Sequence, residues 1–294
     1  MYNFKDFDRQ FPNDDACLHH IFLARYSGHK CECGKTNCFY KVNKRRCYAC
    51  SFCGAQIYPT ARTIFHKSET SLKSWFFAIF LFAKSKNGVA AKEIQRQVGV
   101  TYKTAFRMTH KIRELMASGG GMLTGVVEAD ETYIGGKRKG FGRGAVGKIP
   151  VVGIVQRRGE VRATVVTNAT AGNAIGHLRQ NVETTAQVVS DESPIYNFTS
   201  KFGFKHIRVN HSADEYVVGR AHTNTIEGFW AQLKRSIDGT HHSVSRKYLQ
   251  NYVNEFAFRY NRRFDGCDVL GEMFSRTSLV TDLPPAKPAG ETSI

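Results

Sequence analysis

The 294-residue chain is poor in acid: 25 aspartates and glutamates stand against 42 lysines and arginines, a formal net charge of +17. The deficit is concentrated before residue 121, where 20 basic residues meet only 8 acidic ones. That imbalance points to a polyanion as partner, most often nucleic acid. An anionic membrane surface would also attract the charge, but the sequence has no basic amphipathic helix and no lipidation signal. Nor does it have a long apolar run: the longest, Trp75 to Ala83, is too short to span a bilayer. The opening MYNFKDFDRQ is charged and aromatic and lacks the apolar stretch of a signal peptide, so the expected setting is the cytoplasm, beside the nucleoid. No internal repeat is present. Cysteine is almost confined to one place, with six of the eight lying between positions 31 and 53. In a reducing compartment that clustering indicates a metal site rather than disulfides.

What is there is enough to fold. A hydrophobic share of 41% with 12% aromatics supports a packed core, and the length accommodates one large domain with one or two small ones. Residues 1–28 form an N-terminal helical segment, and residues 29–63 read as a zinc ribbon. Its second knuckle, Cys50-Ser-Phe-Cys53-Gly54, has the spacing that lets two thiolates grip one tetrahedral ion. The first is less regular. Cys33-Gly34 matches half of such a turn, but Cys31 lies one residue too close, leaving Cys38, Cys47 and His29 as alternatives. The preferred set is Cys31, Cys33, Cys50 and Cys53, holding one structural Zn²⁺. Between the knuckles, Phe39 to Tyr48 reads as a basic hairpin.

Residues 68–117 give three helical segments. Ser71–Lys84 is strongly apolar and expected to be buried; Ala90–Val98, a Gly99-Val100 turn and Thr101–Met116 make a helix-turn-helix layout. In that layout Thr101, Tyr102, Lys103, Thr104 and Arg107 would face a DNA groove. Residues 118–125 are glycine-rich and read as a flexible linker. From 126 to 270 the pattern changes to α/β. Strands are expected at Val126–Tyr133, Val151–Gln156 and Val161–Thr167, a helix at Gly172–Val182, strands at Gln187–Ser190 and Lys205–Asn210, and then helices. That order is a ribonuclease-H-like arrangement. A basic glycine-rich excursion, Gly135–Lys148, includes Lys137 and Arg138 as candidate DNA contacts, and residues 277–294 read as a disordered tail.

Asp130 falls on the first of these strands, Asp191 at the end of an apolar strand, and Glu227 on a later helix. Carboxylates beside a sheet core are tolerable when divalent metal compensates them. Two Mg²⁺ or Mn²⁺ ions held by such a trio can activate one oxygen and stabilise another, which is phosphodiester chemistry. Lys234 follows Glu227 by two helical turns on the same face, roughly 10 Å along the axis, where it can grip a phosphate. Asn224 and Glu227 also fit a capping box, the structural alternative for that glutamate. Glu128 shares a strand face with Asp130 by period two and is expected to support it, whereas Glu131 and Glu192 alternate away and are expected to be solvated. His222, His241 and His242 flank the helix, either capping it or touching DNA.

The strings YACSFCG, PTARTIFHKS, GVTYKTAFRM, EADETYIGG, AHTNTIEGFWAQLKRSIDGTHHSVS and NEFAFRYNRR occur in one order. In them the chain resembles bacterial insertion-sequence DDE transposases of the ISXO type, from about residue 18 to 270. The resemblance implies Asp130, Asp191 and Glu227 as the catalytic acids, with Lys234 beside them. Some relatives carry Asn in third place, which makes Asn224 the alternative third ligand. It also implies binding to terminal inverted repeats and target DNA, action as a homo-oligomer on DNA, and metal-dependent cleavage and strand transfer. A catalytically silent DNA-binding regulator derived from such an enzyme is the other reading.

Overall fold

The computed structural model describes residues 2–117, 119–135, 147–209, 222–263 and 268–279. These fall into two compact units, one built from 1–85, 91–115 and the segment from 268 onward, the other from 86–90 and 116–267. Lys137 and Arg138 lie outside the described residues, as does most of the expected tail.

In the first unit, α1 (Phe4–Gln10) is closed by a capping box between Asn3 and Asp6, and α2 (Asp14–Tyr26) starts at Asn13, whose side chain accepts from Ala16 N. A three-stranded antiparallel sheet follows: β1 (Phe39–Lys41), β2 (Tyr48–Cys50) and β3 (Gln56–Ile57). Tyr48 on β2 stacks on Phe22 of α2 at 3.9 Å. The apolar segment is α3 (Leu72–Lys84), buried along Trp75, Phe76, Ile79 and Phe82 and capped by Ser71. The helix-turn-helix pattern is realised by α4 (Ala91–Val98) and α5 (Tyr102–Leu115), with Gly99 at φ +74° making the turn that other residues adopt only with strain. One helix was not expected: α9 (Val269–Arg276). Its Phe274 packs against Phe11 and Phe76, both ring pairs 5.0 Å apart. The described residues 268–279 therefore belong to this unit, whereas the α/β pattern was expected to run to 270.

The second unit is the α/β one. Its strands are β4 (Val126–Ile134), β5 (Ile149–Gln156), β6 (Val161–Val165), β7 (Gln187–Ser190) and β8 (Lys205–Arg208), in the order β6-β5-β4-β7-β8. The first three pair antiparallel, while β7 and β8 run parallel to β4. The parallel step is made through α6 (Ala171–Asn181), as a crossover requires. This is the ribonuclease-H-like order. One face packs Val127, Ala129 and Val188 against α6, and the other packs Val151 and Val155 against α7 (Asn224–Ser236) and α8 (Leu249–Asn261). Within the stretch expected to be a flexible linker, Leu123 is held in this unit. Leu123 is 3% exposed, its N–H bonds to Asn181 O at 2.7 Å and its carbonyl accepts from Glu183 N. Apolar Leu123 bridges to Val182 and packs in the cluster with Ile175 and Leu178 of α6, which overrides the glycines before it.

Gly153 on β5 sits directly under Trp230 of α7. An added Cβ would lie 2.5 Å from Trp230 Cη2. Glycine here is a matter of space, since its absent side chain lets the indole lie against the sheet. Gly153→Ala should therefore lower stability by about 1–3 kcal/mol through overpacking. Calorimetric melting of the full chain checks this, and an unchanged melting temperature contradicts the packing.

Candidate active site

The sheet brings two of the expected acids together by register. Pairing of β4 with β7 ends at Ala129 and Ser190, so Asp130 and Asp191 are the next residues on adjacent parallel strands. Asp130 is held from two sides: Trp230 Nε1 donates to Oδ2 at 3.0 Å, and the Glu131 amide to Oδ1 at 2.7 Å. Asp191 Oδ1 accepts from Ser193 N at 3.0 Å.

Glu131 departs from expectation. It is not solvated: its carboxylate joins those of Asp130 and Asp191, ligand atoms of all three lying within 4.8 Å of one another. Strand alternation does turn Glu131 to the α6 side, but β7 has already ended there, so nothing of the sheet separates the side chain from its neighbours. Ser193 Oγ donates to Glu131 Oε1 at 3.1 Å, while Oε2 is buried without a hydrogen-bond partner. Glu192 is likewise partly buried, at the rim of the same cavity.

Helix α7 supplies Glu227 and Lys234. Ile226, Phe229, Trp230 and Leu233 bury one face, which leaves these two on the side that lines a cavity of about 670 Å³ with Asp130, Asp191 and Lys148. Glu227 is exposed, and its Oε1 accepts from Thr223 Oγ1 at 2.8 Å. The expected capping box does not form. The N-cap residue is Thr223, and Asn224 is an exposed first-turn residue outside the cavity lining. The helix amides go instead to Glu128, which accepts from Thr225 N at 2.9 Å and Ile226 N at 3.1 Å. His222 lies against this same carboxylate, Nδ1 to Oε1 3.2 Å. His241 packs edge-on to Tyr252, and His242 Nδ1 lies 3.0 Å from Asp238 O.

The electrostatics are strained. Burial, then the charges of Asp191 and Glu131, push the Asp130 carboxyl up to about 7, and burial with Asp191 raises Glu131. Carboxylate oxygens crowded at this spacing, one of them an orphan, fit a hard divalent cation with oxygen ligands such as Mg²⁺ or Mn²⁺. Without metal the sign is unfavourable. A carboxyl at about 7 in the fold and 3.8 in the unfolded chain holds its proton more tightly when folded. Stability should thus fall as pH rises between those values and level off above them. In chelator-treated protein above pH 7, Asp130→Asn should remove a penalty on the order of a few kcal/mol and raise the melting temperature. Parallel pH–melting curves for parent and variant would contradict it.

The cysteines form a second cluster. Sulfurs of Cys31, Cys33, Cys50 and Cys53 lie within 4.8 Å of one another, with Cys31–Cys53 at 3.5 Å and Cys33–Cys50 at 3.7 Å. A tetrahedron with Zn–S bonds of about 2.3 Å needs sulfurs roughly 3.8 Å apart, so this set fits zinc. Cys38 is 3.4 Å from Cys50 but outside the four. Gly34 and Gly54 both take positive φ at the knuckle turns, and Phe52 N points at Cys50 Sγ at 3.4 Å. Thr101, Tyr102, Lys103 and Arg107 are exposed at the start of α5, Thr104 is partly buried, and Arg107 reaches Ser68 Oγ at 3.4 Å. Among the described residues no helix is long and apolar enough to cross a membrane.

Comparison with known proteins addresses the α/β unit most directly. Residues 122–261 match the ISXO2-like transposase domain. An uncharacterized protein in transposable element ISH50 of Halobacterium salinarum is 27% identical over 238 residues, 75% of this chain and 79% of that protein. Among solved structures, the catalytic core domain of BIV integrase is similar at 15% identity and TM-score 0.31, over 45% of this chain and 81% of that one. A simian T-cell lymphotropic virus intasome in complex with PP2A regulatory subunit B56 gamma is similar at 14% identity and TM-score 0.33, over 75% and 78%. The match falls on the segment that carries Asp130, Asp191 and Glu227, so residues 122–261 are by family model an ISXO2-like transposase domain.

Proposed function

We propose that the chain binds the ends of its insertion sequence, cleaves them by metal-dependent hydrolysis and joins each freed 3′-hydroxyl to a phosphodiester of target DNA, displacing the target strand's own 3′-oxygen. The observation that carries this reading is the sharing of one cavity by Asp130, Asp191, Glu227 and Lys234. Asp130, Asp191 and Glu227 would hold two Mg²⁺ or Mn²⁺ ions, with Glu131 close by; bound there, the ions supply Lewis-acid activation of the attacking and leaving oxygens. Trp230 fixes the Asp130 carboxylate through Oδ2, and Ser193 fixes both Asp191 and Glu131, so the acids are oriented before DNA arrives. Lys234, with Lys148 in the same lining, would hold a phosphate as a charged donor. The exposed Thr101, just before α5, and Tyr102, Lys103 and Arg107 on it would contact end DNA, and a homo-oligomer at the nucleoid would bring two ends together. Four sulfurs at tetrahedral spacing support one structural Zn²⁺.

Strand transfer by the full chain with its element's own ends, with and without Mg²⁺, tests the reading. Glu227→Gln should abolish cleavage and transfer while end binding persists. Asn224→Ala, exposed and uninvolved in capping, should stay within about 0.5 kcal/mol of the parent and keep its activity. An active Glu227→Gln beside an inactive, folded Asn224→Ala would move the third acid's role to Asn224. For zinc, the intact chain should carry one equivalent by metal analysis. Cys38→Ser should retain it and Cys50→Ser should lose it; equal zinc in the two variants would reject the four-cysteine set.

A further inference from the structure

Helix α7 has an unusual beginning. The first amides of a helix have no partners within it, and a cap side chain normally takes them. Thr223, in the N-cap position, offers no such bond. The acceptor comes from another element altogether. Glu128, on β4 two residues before Asp130, is fully buried at 0% exposed. Its Oε2 receives Thr225 N and Ile226 N, and its Oε1 receives Thr225 Oγ1 at 2.8 Å and Arg157 Nε at 2.7 Å. Arg157, from the turn between β5 and β6, also donates to the His222 carbonyl at 2.8 Å, holding the chain just before the helix. A bare carboxylate would not be tolerated at such depth; this one is matched by a guanidinium and by the positive end of the helix.

We propose that Glu128 is the positioning residue for the third acid: it fixes the start of α7 against β4, the strand of Asp130, and so sets where Glu227 stands. The chain of contacts is short. Glu227 follows directly on Ile226, whose amide Glu128 holds. Because Glu128 takes the amides, the Thr223 hydroxyl is left to donate to Glu227 Oε1. Glu128 sets the backbone and Thr223 the side chain. Neither touches the reacting atoms. The proposal rests on Glu227 being an acid of the metal site, as proposed above.

The test is a calorimetric Mn²⁺ titration of full-length, zinc-replete protein: parent, Glu128→Gln, Glu227→Gln and the double variant, with metal-free melting recorded for each. Loss of a supporting contact to a metal ligand weakens affinity about 10- to 100-fold. Glu128→Gln should therefore bind Mn²⁺ about 10-fold more weakly than the parent, yet add less than twofold to the loss in a Glu227→Gln background. A merely structural role predicts a lower melting temperature with parental affinity, or the same factor in both backgrounds; either overturns the proposal. Should Glu128→Gln fail to fold, Thr225→Ala removes one donor while leaving the buried charge paired, and a measurable loss confined to the Glu227-containing background is then the expected result. Parental Mn²⁺ affinity in Thr225→Ala would equally overturn the proposal. Parental affinity in Glu227→Gln alone would overturn the assignment of Glu227 itself, a separate failure read from a separate protein.

Discussion

The α/β unit is organised around a repulsion. Asp130, Glu131 and Asp191 occupy a space so small that their oxygens approach within 4.8 Å, and Asp130 is largely withdrawn from water. Nothing in hydrophobic packing asks for that. The fold tolerates it by surrounding the acids with donors: an indole, a backbone amide and a serine that serves two of them. Each donor depends in turn on a packing feature behind it. The indole reaches Asp130 because position 153 has no side chain, and the serine is in place because β7 stops at Ser190. The repulsion is therefore distributed over strand register, a glycine and a helix face, which is why the site cannot be described as acids alone.

Much of this was legible in the sequence. Two-residue alternation put Asp130 on a strand, an apolar run ending at Ser190 put Asp191 at a strand end, and helical spacing put Glu227 and Lys234 on one side of α7. The clustered cysteines announced their site, and the Gly99 turn marked the junction of α4 and α5. The failures share a physical cause. Alternation assigns Glu131 to solvent, a rule that presumes a neighbouring strand on each side, and β7 ends one residue too soon for it to hold. Local sequence offers Asn224 as the cap of α7, whereas the acceptor lies on β4, about a hundred residues earlier in the chain. Leu123 looks like linker because its neighbours are glycines, and only its packing against Ile175, Leu178 and Val182 makes it core. Helix α9 has a plain sequence whose meaning comes from Phe11 and Phe76. Local patterns record local physics; each miss was a contact between distant segments.

The contrast between the two clusters is also instructive. The cysteine set is drawn from two turns within one short stretch, so its geometry follows from knuckle spacing and positive-φ glycines. The carboxylate set draws on a central sheet and a helix that must be oriented from outside. A site of the first kind survives as a sequence motif; one of the second kind exists only when the whole unit is assembled.

The arrangement of α9 has a consequence for biosynthesis. The N-terminal unit is not finished by N-terminal sequence: Phe274 completes the aromatic cluster around Phe11 and Phe76, while α5 ends at Leu115. A ribosome adding about 5–20 residues per second takes roughly 10–30 s to cover that gap. Throughout that interval the nascent unit holding the cysteines, α4 and α5 has part of its core uncovered. A polypeptide that terminates early never closes it. The last described helix thus makes closure of the first unit's aromatic core wait on translation through Phe274.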